Sequence, residues 1–171
     1  DALPISFDVE KHLATFPYHP VIRNIAAVTC HFNPQRSRSR IRCYETFARQ
    51  FPRIGLDLFT AEGSVDGCWE IPNAWRYRLE AELFAKENLL NLAIARLPDR
   101  YDRVLWIDSD VLMLDSDYAD KLSESLDRHT VVQAFAKLRY LRSDGSAETG
   151  WRSSLMLMNS QHCLYHIEWR K

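Results

Sequence analysis

This chain lacks most of what would mark a simpler class of function. No stretch approaches the roughly 18 to 20 consecutive apolar residues of a membrane span, and the N-terminus shows no charged, apolar and small-residue series of the signal-peptide kind. Nor is one sign of charge in excess. With 22 basic and 23 acidic residues the formal charge is −1, so nothing global draws the protein to nucleic acid or an anionic membrane surface, and any anion site must be local. The four cysteines, Cys30, Cys43, Cys68 and Cys163, form no CxxC pair, which argues against a zinc ribbon or redox dithiol; they read as free thiols, as expected of a cytoplasmic protein. Internal repeats and low-complexity segments are absent.

What is present suits one globular domain. The 171 residues, 46% hydrophobic and 26% charged, suffice for one core and are too few to expect two. Residues 1–24, with Pro4, Pro17 and Pro20, read as a leader of loop and short helix. The apolar run 25–32 has the β-branched content and abrupt end of a buried strand. Asn33 before Pro34 is a helix start signal, and the predicted helix sets Ile41, Tyr44, Phe47, Ala48 and Phe51 on one stripe. Residues 56–60 read as a second strand ending at Ala61, Glu62 and Gly63, and 64–75 as a covering loop. Leu79, Leu83, Leu90, Ala93, Ile94 and Leu97 recur at helical spacing, which predicts one long helix over 75–97, stopped by Pro98.

A short strand at 103–107 runs into Asp108, Ser109 and Asp110. Further elements are a helix at 115–128, strands at 130–135 and 153–158, and a final helix beginning at 161. The alternation of strands and helices implies an α/β fold with a mostly parallel central sheet and helices on both faces, whose ligands sit beyond the carboxyl ends of the strands.

Asp108 and Asp110 are the chemistry-bearing pair. In extended backbone, residues two apart point to the same side, so both carboxylates converge on one point and call for positive charge between them. Hard oxygen ligands favour Mg²⁺ or Mn²⁺ over zinc. The plainer alternative is that one or both cap the next helix or pair with an arginine. Lys86 falls about 40° from Leu90 on a helix of 3.6 residues per turn, inside the apolar stripe. It must either snorkel to solvent or reach an anion, donor phosphate or the acidic pair.

Residues 86–111, KENLLNLAIARLPDRYDRVLWIDSDV, resemble the GT-A-fold glycosyltransferases, especially bacterial, phage and fungal enzymes with a Trp/Lys-Glu-x-x-x-Asn helix, an LP turn and a strand ending WxDxD. The layout is glycogenin-like. The likeness extends to residues 28–34 upstream, and downstream to VVQAF and to RSSLMLMNS, which resembles an NSGVxxxN-type strand lining the donor-sugar pocket. It implies a Rossmann-like GT-A domain with a nucleotide-sugar-binding part at 25–135 and the start of an acceptor-side part at 136–171. The implied activity is transfer of a hexosyl group from a UDP- or GDP-sugar to an acceptor hydroxyl on a glycan, lipid or protein, aided by Mn²⁺ or Mg²⁺. Asp110 is the implied metal ligand, with Asp108 contacting metal or ribose. The resemblance also places Thr29, Phe32, Glu62, Lys86, Asn91, Ser109, Gln133, Ser153 and Ser154 around the donor. A retaining outcome is mildly favoured.

The family commonly supplies a third ligand, often His, from a segment beyond this point, so a C-terminally truncated GT-A domain is expected. The start at Asp1 rather than Met leaves room for an upstream anchor, in which case the Golgi lumen replaces the cytoplasm. Arg36, Arg38, Arg40 and Arg42 crowd the first turns of the helix after Asn33, against its dipole; solvation makes that tolerable, as expected for at least two of them, and an anion bound there, with Arg36 on the donor nucleotide, would resolve the conflict. Gln133, polar within an apolar strand, needs a buried partner or a pocket. His162 and His166 stand four apart but lack a clustered third ligand, and Asp144 and Glu148 have nothing to single them out. The rival readings are a haloacid dehalogenase-type phosphatase, with Asp108 as nucleophile and Asp110 as acid/base, and a non-catalytic nucleotide-binding remnant of a GT-A domain.

Overall fold

The computed structural model describes residues 8–16, 24–83, 85–135, 137–138, 152–153 and 165–168. Its elements in chain order are α1 (Val9–Thr15), β1 (Ile25–Phe32), α2 (Arg38–Ala48), α3 (Phe51–Ile54), β2 (Asp57–Ser64), β3 (Trp75–Arg78), α4 (Lys86–Ala95), β4 (Arg103–Trp106) and α5 (Tyr118–Arg128). The short strands β5 (Val131–Val132), β6 (Lys137–Leu138), β7 (Arg152–Ser153) and β8 (Tyr165–Glu168) follow. The main sheet runs β3-β2-β1-β4-β8-β5, while β6 and β7 form a separate antiparallel pair. The first four strands of that order are parallel, and β8 runs antiparallel to both β4 and β5.

The period of two along β1 builds both cores. Ile25 and Ala27 face one side, where Tyr44 and Phe47 of α2, Phe51 and Ile54 of α3, and Ala119, Leu122 and Leu126 of α5 close over them. Ala26 and Val28 face the other, against Leu89, Leu90 and Ala93 of α4. A mostly parallel sheet buried on both faces is the expected α/β arrangement, and it leaves only strand ends open to ligand. Gly55, in the left-handed region at φ 70°, caps α3 and turns the chain into β2, a conformation that costs a side-chain-bearing residue more.

Several boundaries differ from expectation. The predicted helix over 75–97 is two elements: Trp75–Arg78 is edge strand β3, and the helix occupies only Lys86–Ala95. In β3 the aromatic residues lie inward and the arginines outward, a period of two that overrides the helical spacing read through Leu79 and Leu83; Leu83 is 78% exposed. The helix expected after Asn33 begins instead at Arg38. Asn33 caps a turn, accepting from the Ser37 amide at 3.0 Å and donating to the Ser37 carbonyl at 3.1 Å, and Arg36 within it has φ 52°. β2 continues through Glu62 and Gly63 to Ser64. The expected strand at 130–135 is confined to Val131–Val132, and the helix at 115–128 starts at Tyr118. Where a helix was expected from 161, Tyr165–Glu168 is a strand paired to β4. The strand expected at 153–158, beyond Ser153, lies outside the described residues.

Candidate functional site at the carboxyl edge of the sheet

Chain order reverses direction across the sheet at β1. From β1 the chain goes to β2 and β3 on one side, then crosses back through α4 to β4 on the other. The crevice beyond the ends of β1 and β4 is therefore the topological switch point, where open α/β sheets bind ligands. The ladder continues one step past β4, with the Ile107 amide donating to the Val28 carbonyl at 3.1 Å. Asp108 follows on the tip of that strand.

Val104 and Trp106 pack toward α4, and Lys86, the first residue of α4, ion-pairs there with Asp108 Oδ1. The side chains are 17% and 13% exposed, so the pair is largely withdrawn from water. The Lys86 ammonium also lies 6.0 Å from the centre of the Trp106 ring. Of the alternatives for Lys86, the structure realises contact with the acidic pair. Asp110 is exposed and takes part in no ion pair among the described residues, and Ser109 between them is half-buried.

Cys30 lines the same region from β1. Burial pushes its thiol up to about 12; Lys86 opposes that rise, while Asp108 and Glu87 add to it. Asn91 is exposed on α4.

A second polar group occupies the ends of β1 and β2. His31 and Glu62 stand opposite one another in register. Glu62 accepts from the Glu70 amide at 2.6 Å and from the Ile71 amide at 3.3 and 3.4 Å, so its carboxylate ties down the 65–74 loop. Glu70 Oε2 is bound by His31 Nε2 at 3.0 Å and by the Asn33 amide at 2.9 Å. Arg36 spans Glu70 Oε1 at 3.5 Å and Asp66, which it grips with 2.5 and 2.6 Å bonds. Arg36 is thus a loop clasp lying before the helix rather than a free cation in its first turn. Arg40 donates to the Phe32 carbonyl at 3.0 Å, and Arg38 and Arg42 are exposed.

Phe32, Asn33, Arg36, Glu62, Gly63 and Glu70 stand in the wall of an open cleft at this end of the sheet. Phe32 and Glu62, both expected at the donor, thus share one cleft. Thr29 is fully buried in β1, and its hydroxyl has no hydrogen-bond partner. Gln133 corrects the expectation of a buried polar strand residue: it is exposed and donates to the nearby Phe135 carbonyl at 3.0 Å. Ser154, Asp144, Glu148, His162 and Cys163 lie outside the described residues, as do the side chains of Ser153 and His166. Cys30, Cys43 and Cys68 are free thiols.

His31, Asn33, Asp66 and Glu70 were not singled out from the sequence as site residues. The available signal was alternation: His31 falls on the same face of β1 as Thr29, next to a strand that carries Glu62.

The fold and these groups together define an α/β protein with a six-stranded, mostly parallel sheet, four of its strands running parallel, and a charged edge at its switch point. Comparison with known proteins finds no family model, no curated protein and no solved structure that matches the chain.

Proposed function

We propose that this chain is the nucleotide-sugar-binding part of a metal-dependent glycosyltransferase of the GT-A type, moving a sugar from a UDP- or GDP-sugar to a hydroxyl of a glycan, lipid or protein. The observation that carries this reading is the Lys86–Asp108 ion pair at the switch point, with Asp110 exposed two residues further on. The donor set fits a divalent cation unequally. Asp108 already has an ammonium against one oxygen, so Asp110 is the carboxylate left to ligate Mn²⁺ or Mg²⁺, and hard oxygen donors suit those ions.

When bound, the metal neutralises charge growing on the leaving diphosphate. Lys86 holds Asp108 in place, and its ammonium brings positive charge to the edge where a diphosphate docks. The amino end of α4 adds to that potential, because its first amides lack intrahelical acceptors. Phe32, in the cleft beside β1 and β2, is the group available to the nucleoside, while the Glu62 carboxylate is taken up by the Glu70 and Ile71 amides.

The test is a thermal-shift titration with UDP and GDP, with and without Mn²⁺, on the wild type and Asp110→Ala. Ligand binding stabilises by RT ln(1+[L]/Kd), about 2.7 kcal/mol at one hundred times Kd. The expected result is a rise that needs Mn²⁺ and is lost in Asp110→Ala, whose own melting temperature stays near wild type because the side chain is exposed. Absence of any nucleotide- and metal-linked rise would sink the reading. Stabilisation by beryllofluoride alone would move the assignment to a phosphatase acting through Asp108.

A further inference from the structure

On the same carboxyl edge of the sheet as Asp108, at the ends of β1 and β2, His31, Glu62 and Glu70 bring one imidazole nitrogen and two carboxylate oxygens within 4.8 Å of one another. Among the described residues this is the one cluster of three potential ligands to a metal ion. His31 is 3% exposed, Glu62 2%, and the Glu70 side chain 12%.

We propose that this cluster is a zinc-type divalent metal site, with ligands other than Asp110, that fastens the 65–74 loop to the ends of β1 and β2.

Four observations support it. Zinc accepts both His nitrogen and carboxylate oxygen as ligands, and three protein ligands leave a fourth position for water. Two of the ligands are preset: His31 and Glu62 stand on neighbouring strands in register, and strand-borne ligands are held more precisely than loop-borne ones. The charge is unbalanced. Among the described residues Arg36 ion-pairs with Asp66 and Glu70, while Glu62 forms no ion pair, so one guanidinium answers three carboxylates. Finally, Glu62 and Glu70 line the open cleft, which gives an ion a way in.

The hydrogen bond from His31 Nε2 to Glu70 Oε2, 3.0 Å long, shows how the change occurs. A metal takes the place of that hydrogen bond: His31 adopts its Nδ1–H tautomer, the ring proton moving from Nε2 to Nδ1, and the freed Nε2 lone pair and the carboxylates bind the ion. Asn33, donating to Glu70 at 2.9 Å, is the outer partner that orients the carboxylate.

The experiment is titration of the whole chain with Zn²⁺ by calorimetry, and with Co²⁺ by visible absorption. The expected result is one ion per chain, nitrogen and oxygen ligand-field bands, and a hyperfine-shifted imidazole N–H resonance in the Co²⁺ form. His31→Gln and Glu70→Gln should each weaken binding by more than about 100-fold, since loss even of outer partners costs about 10- to 100-fold. Asp110→Ala should leave it unchanged, which separates this site from the one in the proposed transferase reaction. The imidazole resonance of the wild type reports ligation without relying on any variant to fold. No binding by the wild type, a thiolate charge-transfer band from the cysteines, or affinity unchanged by both substitutions would overturn the proposal.

Discussion

Lys86 and Asp108 meet across the sheet edge because the crossover from β3 to β4 starts α4 at the carboxyl end of the strands, beside the tip of β4. Both ends of the ion pair are largely buried, so neither charge is screened by solvent to the degree typical of surface pairs. Removing one partner of such a pair leaves the other desolvated and uncompensated. Lys86→Met should therefore lower stability by about 3 kcal/mol, the lower end for buried pairs, because some exposure remains. Adding Asp108→Asn to that variant should recover most of the loss. Urea denaturation checks both, and a single variant as stable as the double would show that the pair adds nothing to folding.

Glu62 acts on the loop through its two oxygens, not through an opposite charge. Glu62→Gln places an amide donor where an acceptor is needed and should cost about 1 to 3 kcal/mol, the range for hydrogen bonds to a charged group and for a buried group left unpaired. The more specific outcome is local. Residues 65–74 should become the first site of protease cleavage and lose amide protection, while α2 and α5 keep theirs. Uniform loss of protection across the chain would mean that Glu62 supports the whole fold and not this loop.

The fold class was legible because the continuous apolar run of β1 and the apolar stripe of α2 are set by burial, and burial is written in residue type. The long helix predicted over 75–97 failed for an equally physical reason. Leu79 and Leu83 happen to continue the spacing of α4, while Trp75 and Tyr77 are placed by stacking and sheet packing, as in the 5.1 Å stack of Trp75 on Phe59. Lys86 was legible from its angular position alone, since a lysine within an apolar stripe needs a partner. Glu70, Asn33 and Asp66 were not, because their roles depend on where a loop returns in space and no local pattern encodes that. Arg36 was misplaced with them: counted as a helix residue, it belongs to a turn that aims it at the loop.

Cysteine reactivity provides a test of the packing around β1. Cys43 and Cys68 are exposed, whereas burial pushes the Cys30 thiol up to about 12. Since the thiolate is the nucleophile, Cys30 should resist alkylation near pH 8 while Cys43 and Cys68 react. Peptide mapping by mass spectrometry after a short pulse of iodoacetamide reads this directly. Prompt labelling of Cys30 in folded protein would show that α4 does not cover the end of β1 as described.

The acid limit of stability should depend on Arg36. Asp66 is held well below its ordinary value of 3.8 by the Arg36 guanidinium first, then by the Cys68 amide and the Ser64 hydroxyl. For Glu70, burial acts upward, but bonds from His31, Asn33 and Arg36 outweigh it and leave the group below its ordinary 4.5. Both folded-state values are depressed, so both carboxylates contribute stability that is complete above those ordinary values and is lost as pH falls through the lower folded ones. Arg36→Ala should therefore be less stable than wild type at neutral pH, and the gap between them should narrow as pH drops below about 4.5 and each protein takes up protons. Because Asp66 is 60% exposed, the neutral-pH gap should also shrink in high salt. Melting curves across that range at two ionic strengths check the sign. A gap that stays constant down to the acid limit would mean that Arg36 holds the loop through its bond to the Cys68 carbonyl and not through charge.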